Sequence, residues 1–249
     1  MTIPELADLW SVSLVARLPG STCSEVWRGV WKGRDVVLKL PRPHAEEAKS
    51  LPTLRAFSGH GGVQVLEADE RTGACLLPLL GSTLDESDLG DDENTRIFAE
   101  VALRLREAPL VEAMSYEEYA HDAFSSDDEI LREPLLTISW LLETRNRTTL
   151  IHGDLHHFNL LNAGYGYVAI DPKGVLTDPG AEIVAYLLNP SLEKLSVGQI
   201  RNRLEIVAER WGESYDRLWQ WAWAGNTVSS WWNDPSTCRE KMKPIRCAR

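Results

Sequence analysis

The sequence predicts an α+β fold in which a small antiparallel β lobe precedes a larger, mainly α lobe. Three observations carry this. The first eighty residues alternate short apolar runs with Gly- and Pro-containing turns. Beyond residue 90, apolar residues recur at helical spacing. One polar loop, flanked by short apolar runs, interrupts that helical stretch. A chain of 249 residues, 43% hydrophobic, can bury a real core as one large domain or two small ones packed together. The change of texture near Gly81 divides it into lobes of residues 1–80 and 81–249.

In order, Trp10–Leu18 reads as a strand ending at the turn cluster Pro19-Gly20-Ser21-Thr22. Glu25–Trp31 and Val36–Leu40 are strands joined through the turn Lys32-Gly33-Arg34-Asp35, and the second carries Lys39 among apolar neighbours. Residues 44–57 read as a helix with a break or first turn at Pro52. Val63–Leu66 and Cys75–Leu77 complete the sheet around the turn Arg71-Thr72-Gly73. Asp91–Arg106 and Leu131–Leu142 are helices, the first with three acidic residues suited to its N-terminus. Thr149–Ile151 and Val168–Ile170 are short strands, and helices follow from about residue 180.

The net charge of −11 is concentrated: residues 85–133 hold 16 Asp/Glu against 4 Arg, a local −12. Such a balance argues against nucleic-acid binding and favours a cationic or neutral partner. No apolar run reaches the roughly 18–20 residues of a membrane span, and Met1–Asp8 shows no secretory signal. Cys23, Cys75, Cys238 and Cys247 lack zinc or disulfide spacing and read as reduced thiols of a cytoplasmic protein.

The chemistry concentrates in Leu150-Ile151-His152-Gly153-Asp154-Leu155-His156-His157-Phe158-Asn159-Leu160-Leu161. Its Asp and Asn have the spacing of a kinase catalytic loop, where the carboxylate orients a hydroxyl nucleophile and the carboxamide binds a metal ion. Asp171, twelve residues on at the end of a strand, stands where that template has its second metal-binding carboxylate. The same His/Asp cluster also reads as a metal-hydrolase site, or as a loop whose polar residues cap one another. Neither of those readings employs Asn159, Asp171 and Lys39.

His152-Gly153-Asp154-Leu155-His156-His157-Phe158-Asn159, with Ile170-Asp171-Pro172-Lys173-Gly174-Val175 and Asp178-Pro179, resembles the aminoglycoside/hydroxyurea antibiotic resistance kinases, among them streptomycin 6-phosphotransferases. The likeness extends to Gly59–Val63 and Trp221–Ala224, so it spans about residues 10–235. The resemblance implies a protein-kinase-like two-lobed fold and an ATP-dependent transfer of phosphate to a small hydroxylated acceptor, with Mg²⁺ as cofactor. It implies Asp154 as catalytic base, Asn159 and Asp171 as Mg²⁺ ligands, and Lys39 on the α- and β-phosphates. Gly20, Ser21 and Ser24 would belong to the loop over the nucleotide. His152 reads as scaffold.

Two departures stand out. The family's glutamate partner of the lysine is replaced by Ser50, leaving Glu47 or Glu46 to serve, and Pro78 occupies the hinge where relatives carry Leu-Glu-Arg. The acidic segment, placed after the hinge, is expected to concentrate a cationic aminoglycoside. A metabolite kinase and a catalytically silent nucleotide-binding protein are the competing readings. The tryptophans at 211–232, with Trp219 and Trp223 four apart, read as core, and Cys238–Arg249 as a frayed basic terminus.

Overall fold

The computed structural model describes residues 1–19, 23–43, 46–191 and 195–249, without the side chains of Glu46, Glu47 and Leu188. It opens on a helix, α1 (Ile3–Trp10), where the sequence reading has no element. Thr2 and Glu5 form its capping box and Pro4 sits in its first turn, a start signal for a helix of only eight residues.

Five strands follow: β1 (Ser13–Arg17), β2 (Ser24–Trp31), β3 (Arg34–Pro41), β4 (Glu67–Asp69) and β5 (Ala74–Pro78). They form one antiparallel sheet in the order β1-β2-β3-β5-β4. The β2–β3 hairpin turns on Lys32 and Gly33, at φ 50° and 75°, a two-residue connection with both central residues left-handed. Alternation along β3 sends Val36 and Leu38 against Ile3 and Leu6 of α1, so Lys39 projects from the opposite face. The helix expected over 44–57 divides into a 3₁₀ turn (Glu46–Lys49) and α2 (Leu51–Phe57), with Ser50 at the break and Pro52 in the first turn of α2.

Val63–Leu66 is not the strand expected. The Val63 N–H donates to the Ala169 carbonyl, 2.9 Å away in the second half of the chain, and the sheet strand starts only at Glu67. Val63 is buried with Val168, Leu54 and Leu77, so the start of the run joins the two halves, and only its last residue meets the sheet, the Leu66 N–H donating to the Leu76 carbonyl at 2.8 Å.

The remainder packs around α3 (Asp91–Leu105), α6 (Glu129–Glu143), α8 (Val197–Trp211) and α9 (Tyr215–Asn233). Between the first two lie β6 (Met114–Ser115), α4 (Tyr116–Tyr119) and α5 (His121–Phe124). Short strands β7 (Thr149–Ile151), β8 (Leu160–Asn162), β9 (Tyr167–Ala169) and β10 (Val175–Thr177) carry the polar loop, and α7 (Ile183–Leu188) follows. Helix α9 is buried nearly all round, as a central helix must be. Trp219 and Trp223 stack at 6.0 Å within the core, as their spacing predicts. Cys238–Arg249 is not frayed: α10 (Cys238–Cys247) buries Cys238, Met242 and Ile245, spaced four and three apart on one face.

Arg203 of α8 is 2% exposed, and its guanidinium grips the Asp91 carboxylate at the N-terminus of α3 (Nε to Oδ1, 3.0 Å) and the Asn189 carbonyl at 3.1 Å. Removing the carboxylate strands a buried cation, so Asp91→Ala should cost about 3 kcal/mol in urea unfolding. Asp92→Ala, which loses only an exposed hydrogen bond to Asn202, should stay within about 0.5 kcal/mol of the parent.

Candidate active site

Strand β7 delivers the chain to a tight turn at His152-Gly153-Asp154, with Gly153 at φ +78°. His152 is fully buried and neutral: burial lowers its pKa to about 4. Its Nδ1 accepts the Asp154 N–H at 3.3 Å, so the proton resides on Nε2, which faces the Ile170 carbonyl at 2.8 Å. This imidazole is therefore a strut between the loop and the strand leading to Asp171, as the sequence reading expects. His157 is buried against the Tyr186 ring at 4.6 Å. With both imidazoles committed to packing, the four polar residues do not converge on a metal, and the described residues hold no cluster of three or more His, Cys, Asp or Glu suited to one.

The turn is held from beneath by Glu182, which the sequence reading misses. Its Oε2 accepts the His152 N–H at 2.6 Å and its Oε1 the Gly153 N–H at 3.1 Å. Glu182 is 3% exposed, and burial raises its pKa to about 7 against the lowering effect of those two bonds. It ends a 3₁₀ turn, Pro179–Glu182, capped by Asp178, whose carboxylate accepts the Gly180 N–H at 2.6 Å and pairs with Arg217 of α9 (Nε, 3.1 Å). The Asp178-Pro179 motif thus belongs to the support of the loop and not to its reacting face.

Asn159 and Asp171 are brought together by the backbone, the Ile170 N–H donating to the Asn159 carbonyl at 3.0 Å. Asn159 Nδ2 donates to the Asp154 carbonyl at 2.9 Å, which fixes the carboxamide and leaves its oxygen as the donor atom for a cation. Asp171 adopts φ 56°, a left-handed conformation that few non-glycine residues hold without support. Its Oδ1 accepts from Lys39 Nζ at 2.7 Å, across 132 residues of sequence. Lys39 is 9% exposed, so the desolvated ammonium meets the anion it needs. Asp171 is such an anion; the side chain of Glu47, the partner expected from the sequence, lies outside the described residues. A carboxylate and a carboxamide oxygen are the hard donors that Mg²⁺ takes, so the residues present fit that ion.

Two cavities meet at Asp154. The larger, about 950 Å³, runs between α2 and the 112–119 segment and is lined by Lys49, Thr53, Glu112, Asn159, Asp171 and their neighbours. The smaller, about 370 Å³, lies against the Gly153-Asp154 turn and is lined by Tyr116, Glu182, Ser229, Trp232 and Asn233 among others. Of the sequence-predicted residues, Asp154, Asn159 and Asp171 line the larger cavity. Ser24 is instead buried at the start of β2, opposite Pro41, and its neighbour Cys23 forms the wall. Gly20 and Ser21 lie outside the described residues. The acidic segment contributes less than expected: among the described lining residues, its carboxylates at the larger cavity are those of Glu112 and Glu118.

Glu182→Gln tests the support. The carboxylate is protonated more readily in the folded than in the unfolded chain, so its contribution to stability is present in acid and fades as pH rises from about 4.5 through 7. Urea titrations should show the wild type losing stability relative to the variant across that window. The variant's amide also presents a donor to one loop N–H, and any turnover should fall by about tenfold or more through misplacement of Asp154.

The family model for aminoglycoside/hydroxyurea antibiotic resistance kinases matches residues 9–236. The chain is 28% identical over 212 residues to streptomycin 3''-kinase of Klebsiella pneumoniae, covering 79% of each protein. It is 25% identical over 252 residues to streptomycin 6-kinase of Streptomyces glaucescens, covering 93% of this chain and 81% of that one. In fold it is similar to a thermostable mutant of the aminoglycoside phosphotransferase APH(4)-Ia, solved in a ternary complex with AMP-PNP and hygromycin B. That match has a TM-score of 0.64 at 18% identity and covers 98% of this chain and 97% of the other. The fold is thus the two-lobed kinase-like one that the loop motif implies, and the chain belongs to the aminoglycoside/hydroxyurea antibiotic resistance kinase family.

Proposed function

We propose that the chain is an ATP-dependent O-phosphotransferase acting on an aminoglycoside such as streptomycin, with residues 1–80 as its nucleotide lobe and 81–249 as its acceptor lobe. The observation that carries this is the position of Asp154 where two cavities meet, with Asn159 and the Asp171–Lys39 pair on the side of the larger one. The triphosphate end of ATP lies over Asn159 and Asp171, and the acceptor hydroxyl reaches Asp154 from the smaller cavity. Asp154 orients that hydroxyl and takes its proton as the new oxygen–phosphorus bond forms and the bond from the γ-phosphorus to ADP breaks. Lys39 holds Asp171 and adds positive charge on the phosphate side. Asn159 and Asp171 would hold Mg²⁺, which supplies charge neutralisation of the phosphate oxygens when bound.

Membership of this family and the likeness to streptomycin kinases support an aminoglycoside as acceptor. Glu112 and Glu118 give the cleft wall the sign that suits a cation, and both are solvent-exposed. Among the described residues no helix is long and apolar enough to cross a membrane.

With Mg-ATP and streptomycin, the purified chain should release ADP in step with formation of phosphorylated streptomycin. Asp154→Asn should lower kcat by about 10²–10⁴ while leaving ATP affinity nearly unchanged. Near-parental turnover by that variant would remove Asp154 from the chemistry. A chain that binds Mg-ATP yet releases no ADP with streptomycin, other aminoglycosides or hydroxyurea would be a nucleotide-binding protein and not a kinase of this class.

A further inference from the structure

Tyr119, Asp154 and Lys173 are the described residues that line both cavities. Of these three, Lys173 alone is cationic, and it is the one cation among the described residues lining the smaller cavity. Its backbone is pinned to the catalytic turn: the Lys173 N–H donates to the His152 carbonyl at 2.9 Å, and the Gly174 N–H to the same oxygen at 3.1 Å. Gly174, at φ +77°, lets α2 approach so closely that a Cβ there would lie 2.1 Å from Thr53 Oγ1. The lysine is thereby placed relative to Asp154 by backbone hydrogen bonds to the turn on one side and by the Thr53 side chain against Gly174 on the other. Its Nζ lies 5.5 Å from the centroid of the Tyr119 ring, the aromatic wall shared by the two cavities.

We propose that Lys173 is a catalytic residue of the transfer, its ammonium meeting the equatorial oxygens of the γ-phosphoryl group as that group passes from the larger cavity to the acceptor in the smaller. This rests on the kinase reading of the same site. The electrostatic need is specific. The bond from the γ-phosphorus to the ADP oxygen breaks, the acceptor oxygen bonds to phosphorus, and the acceptor proton goes to Asp154. Throughout, three negatively charged oxygens move past a carboxylate that would repel them. A cation held in the same wall offsets that repulsion where charge moves, and it needs no rearrangement to do so. An ammonium with three donors suits this point-charge task. Lys39 cannot substitute for it, being committed to Asp171 on the sheet side of the cleft.

The test uses the full chain as wild type, Lys173→Met, Lys173→Gln and Lys173→Arg, with affinities for Mg-AMP-PNP and Mg-ADP from calorimetry. A group that meets the γ-phosphoryl should be felt by AMP-PNP and not by ADP. In Lys173→Met and Lys173→Gln, AMP-PNP affinity should fall about tenfold with ADP affinity within about twofold of the parent, the retained ADP binding also showing a folded protein. With streptomycin as acceptor, kcat should fall by about 10²–10³ in both, and Lys173→Arg should recover at least about tenfold of it. An unchanged ratio of AMP-PNP to ADP affinity, with kcat within about threefold of the parent, overturns the role of Lys173 and leaves the kinase reading intact. Equal weakening of both nucleotides also overturns it, by showing a structural part in the loop. Wild-type binding of both nucleotides without transfer to streptomycin counts against the acceptor alone, and the affinity ratio still decides Lys173. A wild type that binds neither nucleotide overturns both readings.

Discussion

The carboxylate of Glu182, sealed from water and accepting the N–H groups of His152 and Gly153, fixes the turn on which Asp154 stands. Much of the larger half of the chain converges on that one group. Arg106, at the end of α3, donates to the Pro179 carbonyl at 3.0 Å while its guanidinium lies 3.8 Å over the Trp211 ring. Arg217 of α9 bridges Asp178 and the Leu141 carbonyl of α6, the latter at 2.6 Å. A buried charge survives only where partners satisfy it. The helices around the 179–182 turn therefore cannot shift independently of the loop they support. The tryptophan-rich core of α8 and α9, remote in sequence from the polar loop, is part of what holds Asp154 still.

Legibility in the sequence followed the range over which each signal acts. The polar loop and Asp171 could be read because their spacing in sequence reflects a local backbone path, His152 to Ile170 and Ile170 to Asn159. Strands β2, β3 and β5 and helices α3 and α6 announced themselves by periodicity over enough residues. Val63–Leu66 did not, because an apolar run does not say which edge its backbone will join, and Ala169 took Val63 while Leu66 met Leu76. Helix α10 was hidden by its charge: four Lys or Arg drew attention from Cys238, Met242 and Ile245, whose spacing marks a buried stripe. Glu182 left no local signal at all. One glutamate after Pro-Gly-Ala becomes a support only when tertiary packing removes it from water.

The acidic segment shows how a bulk charge is spent. Asp91 binds Arg203, Glu93 faces Arg96, Glu100 faces Arg210 and Glu133 faces Arg246. Asp128 caps α6 through the Ile130 N–H and receives the Trp231 indole. These carboxylates stabilise helices and their packing, most of them weakly because they are exposed. Part of the local −12 is therefore architectural. At the larger cavity the segment contributes Glu112 and Glu118 among the described lining residues, and Glu118 already accepts the Ser115 N–H at 2.7 Å.

Two cavities that share a wall of three residues impose an order on the chemistry that one open cleft would not. In-line transfer needs donor and acceptor on opposite sides of the phosphorus, and here the space on either side of Asp154 is already divided. On the proposed reading, a hydroxyl on a ring seated against Tyr116, Tyr119 and Trp232 would reach Asp154 from the side opposite the larger cavity. Tyr119 is central to this division. Its helix is a single turn, started by the reciprocal Ser115–Glu118 cap, and its ring meets Trp232 edge-on at 5.5 Å. A four-residue helix is marginal alone. Its persistence here depends on that cap and on Tyr116 packing against Trp221 at 5.2 Å, so the partition between the cavities is as firm as the core of α9 behind it.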